Sequence, residues 1–193
     1  MNLNRRLLLA SNSPRRQELL RALGYAFEVQ VKNTEEDFPA GMPGHEVAEF
    51  LARKKAAAFS PEEIGDTILI TADTVVCLDD HLLNKPATEA QAREMLRQLS
   101  GRSHSVITGV CLRNASATHS FSDETKVFFK ELTEAEISYY ISRFQPFDKA
   151  GAYGVQEWIG MIGVTRLEGS YFTVMGLPVQ RLYEELENFG TED

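Results

Sequence analysis

LLLASNSPRRQELL, residues 7–20, is the stretch on which the fold reading turns. Leu7 to Ala10 is a short apolar run of the kind that makes a buried strand, and Ser11-Asn12-Ser13-Pro14 then breaks it with a small polar turn. Ser13 has the side chain of a helix N-cap, and Pro14 suits the first helical position, where its missing N–H costs nothing. The helix so begun buries Leu19, Leu20 and Leu23 and stops at Gly24. Strand, polar turn and helix in that order mark an α/β protein.

Working outward, Phe27, Val29 and Val31 alternate as a strand does, and residues 32–44 read as an acidic loop. A helix is expected from His45 to Phe59 with Val47, Phe50, Leu51 and Ala58 on its stripe, ended by Ser60-Pro61. Thr67 to Leu78 is β-branched and splits around Ala72-Asp73-Thr74, with a hairpin turn at Asp79-Asp80 before His81 to Leu83. Thr88 opens a helix whose capping box is completed by Gln91, whose stripe is Ala92, Met95, Leu96 and Leu99, and which Gly101 closes. Strands from Ser105 to Arg113 and His119 to Phe129 pair across a turn at Asn114 to Ala117. Thr133 and Glu136 cap a helix reaching Phe144. A Gly-rich loop from Lys149 to Gly160, strands near Gly163 to Leu167 and Tyr171 to Val174, and a helix from Pro178 complete the chain. No repeat or linker divides it, so residues 1–193 are read as one domain of the α/β class with a mixed sheet.

The composition agrees. Of 193 residues, 43% are hydrophobic and 25% charged, which excludes a disordered chain, and 13 Gly and 7 Pro follow no fibrous period. A chain this long buries about 70% of its unfolded surface without needing a disulfide or structural metal. Cys77 and Cys111 lack the spacing of a zinc or redox pair and read as structural thiols in a reducing compartment. The apolar run at Leu7 is too short for a signal peptide, and no stretch is long enough to span a membrane, so a cytoplasmic protein is expected. A net charge of −8 argues against a nucleic-acid polymer as partner.

Arg15 and Arg16 stand in the first turn of a helix, where the macrodipole disfavours cations, so an anion such as phosphate is the expected companion. Asp73 interrupts an apolar strand, and a carboxylate there must be paired, hydrogen-bonded or metal-bound. Glu35, Glu36 and Asp37 offer hard oxygen ligands of the kind Mg²⁺ takes alongside substrate phosphates. Lys55 lies on a helix face, and Lys85 is held extended by Pro86. Lys149 precedes Ala150-Gly151-Ala152, small residues that allow close backbone approach to a ligand, and Gln156 has the donor and acceptor that base-edge reading requires. Phosphate-loop, dinucleotide, serine-hydrolase and zincin motifs are absent, and His104 and His119 read as structural.

Taken together, Ser11-Asn12-Ser13-Pro14-Arg15-Arg16, Ala72-Asp73-Thr74-Val75-Val76, Lys85-Pro86, Leu99-Ser100-Gly101-Arg102-Ser103-His104, residues 148–156 and Met175-Gly176-Leu177-Pro178 resemble the Maf family of nucleotide pyrophosphatases. The resemblance runs in order along nearly the whole chain. It implies a mixed twisted sheet flanked by helices, in two lobes with a cleft, similar to the inosine triphosphatase (Maf/Ham1-like) fold. It further implies metal-assisted hydrolysis of a nucleoside triphosphate to the monophosphate and pyrophosphate, with dTTP and UTP as substrates.

By the same resemblance Asp73 is the proton acceptor, and Arg15, Thr74 and Gln156 govern substrate choice. Ser11, Ser13, Arg16, Lys55, Lys85 and Lys149 meet phosphates; Glu35 or Glu36, with Asp73, holds a divalent cation, Mg²⁺ or Mn²⁺. A homodimer is compatible with it. Thr71 and Glu157 occupy positions where the family usually has Gly. Two rival readings are the same chemistry on another or modified nucleotide, and a nucleotide-binding regulator of septum formation that needs no turnover.

Overall fold

The computed structural model describes residues 6–79 and 81–189, so the ends of the 1–193 span and the hairpin residue Asp80 lie outside the described residues. The elements run β1 (Leu7–Leu9), α1 (Pro14–Ala22), β2 (Phe27–Val29), α2 (Gly44–Ala57), α3 (Pro61–Ile64), β3 (Ile68–Leu78), β4 (His81–Leu83) and α4 (Glu89–Leu99). They continue with β5 (Ser103–Arg113), β6 (Thr118–Phe129), α5 (Glu134–Phe144), a 3-10 turn at Ala150–Ala152, α6 (Trp158–Gly163), β7 (Val164–Glu168), α7 (Tyr171–Met175) and α8 (Val179–Asn188). Seven strands form one sheet in the order β2-β1-β3-β5-β6-β7, with β4 beside β3. β1 is parallel to β2 and to β3, in the register Leu7↔Phe27 and Leu7↔Ile68, whereas β4 and β7 run antiparallel to β3 and β6. The sheet is therefore mixed, as expected.

The chain divides into two compact units, with boundaries at 73/74, 107/108, 123/124 and 175/176. In the first, Leu8, Ala52, Ala56, Phe59, Ile64, Leu69 and Cys111 form a buried cluster. Gly109 is obligatory there: a Cβ on it would stand 2.3 Å from the Ala48 carbonyl carbon and the Glu49 nitrogen, so β5 meets the α2 backbone with no room for a methyl group. The second unit has its own core, built from Val76, Leu96, Leu99, Val127, Tyr140, Ile141, Tyr153 and Ile159 among others.

Capping follows the sequence closely. Ser13 Oγ accepts from the Arg16 N–H at 3.5 Å, and Thr133 and Glu136 bond reciprocally at 3.2 and 2.8 Å. Gln91 departs slightly: its side chain accepts from the Ala87 N–H at 2.7 Å, one residue before the Thr88 cap. Gly24 ends α1 at φ +86°. Cys77 and Cys111 are buried free thiols, and burial pushes both up to about 11.

Several expectations are corrected. β3 is unbroken through Ala72-Asp73-Thr74, because the Asp73 carboxylate finds a cation and the ladder has no need to open. Ser60-Pro61 ends no helix but begins one: Ser60 caps α3 in a reciprocal box with Glu63. The apolar run from Tyr171 is the helix α7, since Gly169 at φ +125° and the paired bonds between Ser170 and Thr125 turn the chain off the sheet after β7. The stretch from Lys149 to Gly160 carries a 3-10 turn and the start of α6. The terminal strand β2 ends at Val29, short of the expected Val31, and both valines are exposed.

Candidate functional site

In the first unit, Asp73 is 7% exposed in the middle of β3 and is ion-paired through Oδ1 with Lys55 from α2. The same ammonium reaches Glu36 Oε1 at 2.9 Å. Thr71 fixes this geometry: its hydroxyl donates to the Ala52 carbonyl at 2.6 Å, tying β3 to the α2 turn just ahead of Lys55. Lys54, the next residue back, bonds the Asp37 carboxylate and its carbonyl oxygen, so two successive lysines grip two successive acids of the loop. Glu35, Glu36 and Asp37 are all exposed.

The start of α1 is equally ordered. Ser11 is buried; its Oγ accepts from the Ser13 N–H at 3.2 Å and its carbonyl from the Gln17 amide at 3.1 Å. Arg15 and Arg16 are half-buried, and Arg16 Nε donates to the Gly176 carbonyl at 2.8 Å. Burial lowers the Arg16 pKa from the usual guanidinium value, Asp73 and Glu36 oppose the shift, and Arg15 adds to it. Arg16 therefore stands within electrostatic reach of Asp73 and Glu36. The structure brings together Arg16, Glu36, Lys55 and Asp73, which lie far apart in sequence.

In the second unit, Thr74 is half-buried and Lys85 exposed. Gly151 N–H donates to the Asn84 carbonyl at 3.3 Å, which places the segment bearing Lys85 against the loop bearing Lys149. Lys149 is 8% exposed, and its ammonium lies 2.7 Å from Asp148 Oδ1 and 3.1 Å from Glu157 Oε1. Glu157 Oε2 accepts the Tyr140 hydroxyl, which in turn accepts the Gly154 N–H at 3.0 Å. Gln156 is half-buried between these residues in sequence. His104 is a core residue: Nε2 is 2.7 Å from the Tyr153 hydroxyl, Phe129 and Tyr153 meet the ring edge-on, and burial lowers it to about 4. Exposed His119 pairs with Glu185.

Sequence reasoning had no means to single out Tyr140, whose role is a contact with a carboxylate distant in the chain, and Thr71 stood out only as a departure from the family pattern, with nothing to show its bond to the Ala52 carbonyl. Glu157 was visible only as a departure from the family pattern.

The donor set is suited to a hard divalent cation. Asp73 and Glu36 already share one positive charge, the Lys55 ammonium, and Mg²⁺ typically takes one or two carboxylates with phosphate and water as the remainder. Among the described residues no group of three His, Cys, Asp or Glu side chains is arranged to hold a metal unaided. Asp73 and Glu36 are the carboxylates that could contribute to such a site.

A buried carboxylate paired with a lysine within a strand of a mixed sheet, close to an arginine-bearing helix start, defines an α/β protein equipped to bind anionic ligands. The chain belongs to the Maf-like protein family, whose sequence pattern matches residues 6–189. It is 52% identical over 183 residues to the dTTP/UTP pyrophosphatase of Phocaeicola vulgatus, covering 94% of this chain and 95% of that one. The proteins of the same name from Porphyromonas gingivalis and Bacteroides thetaiotaomicron are 48% and 50% identical, over 96% and 94% of this chain and 94% of each of theirs. The Staphylococcus aureus Ham1 protein overlays 65% of this chain and 72% of its own at 12% identity, with a TM-score of 0.48; the fold class rests on the strand order.

Proposed function

We propose that this protein is a nucleoside triphosphate pyrophosphatase that hydrolyses dTTP and UTP to the monophosphate and pyrophosphate. The observation that carries the reading is the buried Asp73 carboxylate, held by Lys55 beside Glu36 and within reach of Arg16. It stands in a chain about half identical, end to end, to proteins named for that activity.

In the mechanism, Asp73 orients a water molecule and takes its proton as the oxygen attacks the α-phosphorus in line. The new P–O bond gives the nucleoside monophosphate, and the bond to the β-phosphate oxygen breaks to release pyrophosphate. Arg16, Lys55, Lys85 and Lys149, with the Ser11 and Ser13 turn, bind phosphate oxygens and stabilise the charge that develops on them. A divalent cation held by Asp73 and Glu36 would polarise phosphoryl oxygens. Arg15, Thr74 and Gln156 select the nucleotide; the Gln156 amide has both the donor and the acceptor that a pyrimidine edge needs.

The test is pyrophosphate release, with orthophosphate as control, from dTTP, UTP, CTP, dCTP, GTP, ATP and modified nucleotides, with Mg²⁺, Mn²⁺ or chelator. Metal-dependent release confined to dTTP and UTP supports the reading. Binding without turnover on every nucleotide overturns it in favour of a nucleotide-responsive regulator.

A further inference from the structure

The loop that carries Lys149 and Gln156 is closed by its own last residue. Lys149 is almost wholly buried, and one oxygen of Glu157 lies 3.1 Å from its ammonium. The other oxygen accepts the hydroxyl of Tyr140, a fully buried residue of α5 whose ring stacks on Phe144. That hydroxyl also accepts the Gly154 N–H at 3.0 Å, so the carboxylate governs the backbone two residues before Gln156 as well as the lysine at the start of the loop.

Gly154 shows how tightly the parts are coupled. A Cβ there would stand 3.0 Å from Gln156 Nε2, 3.0 Å from the Glu157 carboxyl carbon and 3.1 Å from Oε2, so the amide and the carboxylate crowd the same point. Between them and Lys149 the backbone takes left-handed angles at Gly151 (φ +68°) and Ala152 (φ +59°). A non-glycine residue in that region must be held by its surroundings. Tyr140 is kept protonated by burial and by the neighbouring Glu157 charge, and so remains a donor.

We propose that Glu157 is a positioning residue of the pyrophosphatase: by holding Lys149 with one oxygen and Tyr140 with the other, it sets where the phosphate-binding ammonium and the Gln156 amide stand. The proposal rests on the reading of Lys149 and Gln156 as substrate contacts. Glu157 itself touches no substrate; it acts through the two residues it places.

Glu157→Gln keeps the length of the side chain and an oxygen for Tyr140 but removes one of the two charges on Lys149, leaving exposed Asp148 at 2.7 Å as the other. Lys149 meets phosphate in the ground state as well as in the transition state, and displacing the ground-state contact raises KM, so KM for dTTP is expected to rise about tenfold, with the smaller transition-state share lowering kcat by no more than about threefold. A merely structural role would lower the active fraction, reducing kcat at constant KM. Tyr140→Phe keeps the ring in its core site and deletes the hydroxyl that anchors Oε2 and accepts the Gly154 N–H; about a threefold rise in the same KM is expected. Lys149→Met is measured in parallel, each variant with its thermal unfolding curve.

If KM rises in Lys149→Met but is unchanged in both folded Glu157→Gln and Tyr140→Phe, the positioning role is overturned and the phosphate role of Lys149 survives. If Lys149→Met leaves KM unchanged, both fall. If Glu157→Gln does not fold, Tyr140→Phe decides the matter by the same constant.

Discussion

Lys55 of α2 is ion-paired with Asp73 of β3, eighteen residues further along the chain, and neither side chain is more than about one-fifth exposed. A buried pair of this kind adds little net stability, because desolvation offsets the attraction, but it fixes where the carboxylate stands. The pairing also accounts for an aspartate inside an otherwise apolar strand. In the proposed mechanism Asp73 is the group on which turnover most depends.

Asp73→Asn retains the shape and loses the base. Turnover of dTTP is expected to fall by about 10²- to 10⁴-fold, the range associated with removing a general base, while the variant remains folded. Pyrophosphate release together with a thermal melt checks both parts; near-parental turnover would remove Asp73 from the role.

Chelation should abolish pyrophosphate release, and Mg²⁺ or Mn²⁺ should restore it. In Glu36→Gln the metal concentration for half-maximal turnover is expected to rise about tenfold or more. Both acids are exposed, but Glu36 is the one that bonds the Lys55 ammonium paired with Asp73, so Glu35→Gln should shift that concentration far less. A titration of rate against metal in each variant separates the two acids, and the opposite ranking would transfer the role to Glu35.

Gln156→Ala should narrow the gap between dTTP and the poorer nucleotides more than it slows dTTP itself. A site that hydrogen-bonds a base edge rejects a mismatched base by up to about 10⁴-fold, and deleting the amide forfeits part of that discrimination. The ratio of kcat/KM for dTTP over CTP is the quantity to follow; an equal loss on all nucleotides would contradict the specificity role.

Acid should weaken the fold through His104, whose folded value of about 4 lies below the ordinary 6.5. Between those values the unfolded chain binds more protons than the folded one, so stability falls as pH drops from about 6.5 towards 4 and levels off below. The full loss is about 3 kcal/mol for a shift of that size. The lowered carboxylates Glu63, Glu134 and Glu136 act below their ordinary 4.5, so denaturant midpoints measured at pH 6.5 and 5 isolate the histidine. His104→Phe, keeping an aromatic ring between Phe129 and Tyr153, should flatten that part of the profile.

Gly109→Ala is expected to destabilise the protein by about 3 kcal/mol or more, since the new methyl group would meet α2 backbone atoms at 2.3 Å and no side chain can move aside for it. Chemical denaturation gives the number directly. A loss below about 1 kcal/mol would mean that α2 shifts on β5 more readily than such a contact implies.

What local chemistry decides was readable in the chain itself. The Ser13 and Thr133 caps, the Gly24 stop and the strand–turn–helix at residues 7–22 depend on neighbours within four residues, and all stand as read. The family blocks located Asp73 and Lys149 as residues to watch, and the resemblance added Lys55 and either Glu35 or Glu36. Tertiary structure decided what those residues touch. Whether β3 breaks at Asp73 depends on a cation from α2, and whether the run from Tyr171 is strand or helix depends on Thr125, 45 residues away from Ser170. Glu157 acquires its place through a tyrosine seventeen residues earlier and a lysine at the far end of its loop. Short-range hydrogen bonding is encoded by residue spacing, whereas the partner of a buried charge is set by which elements the fold packs against it.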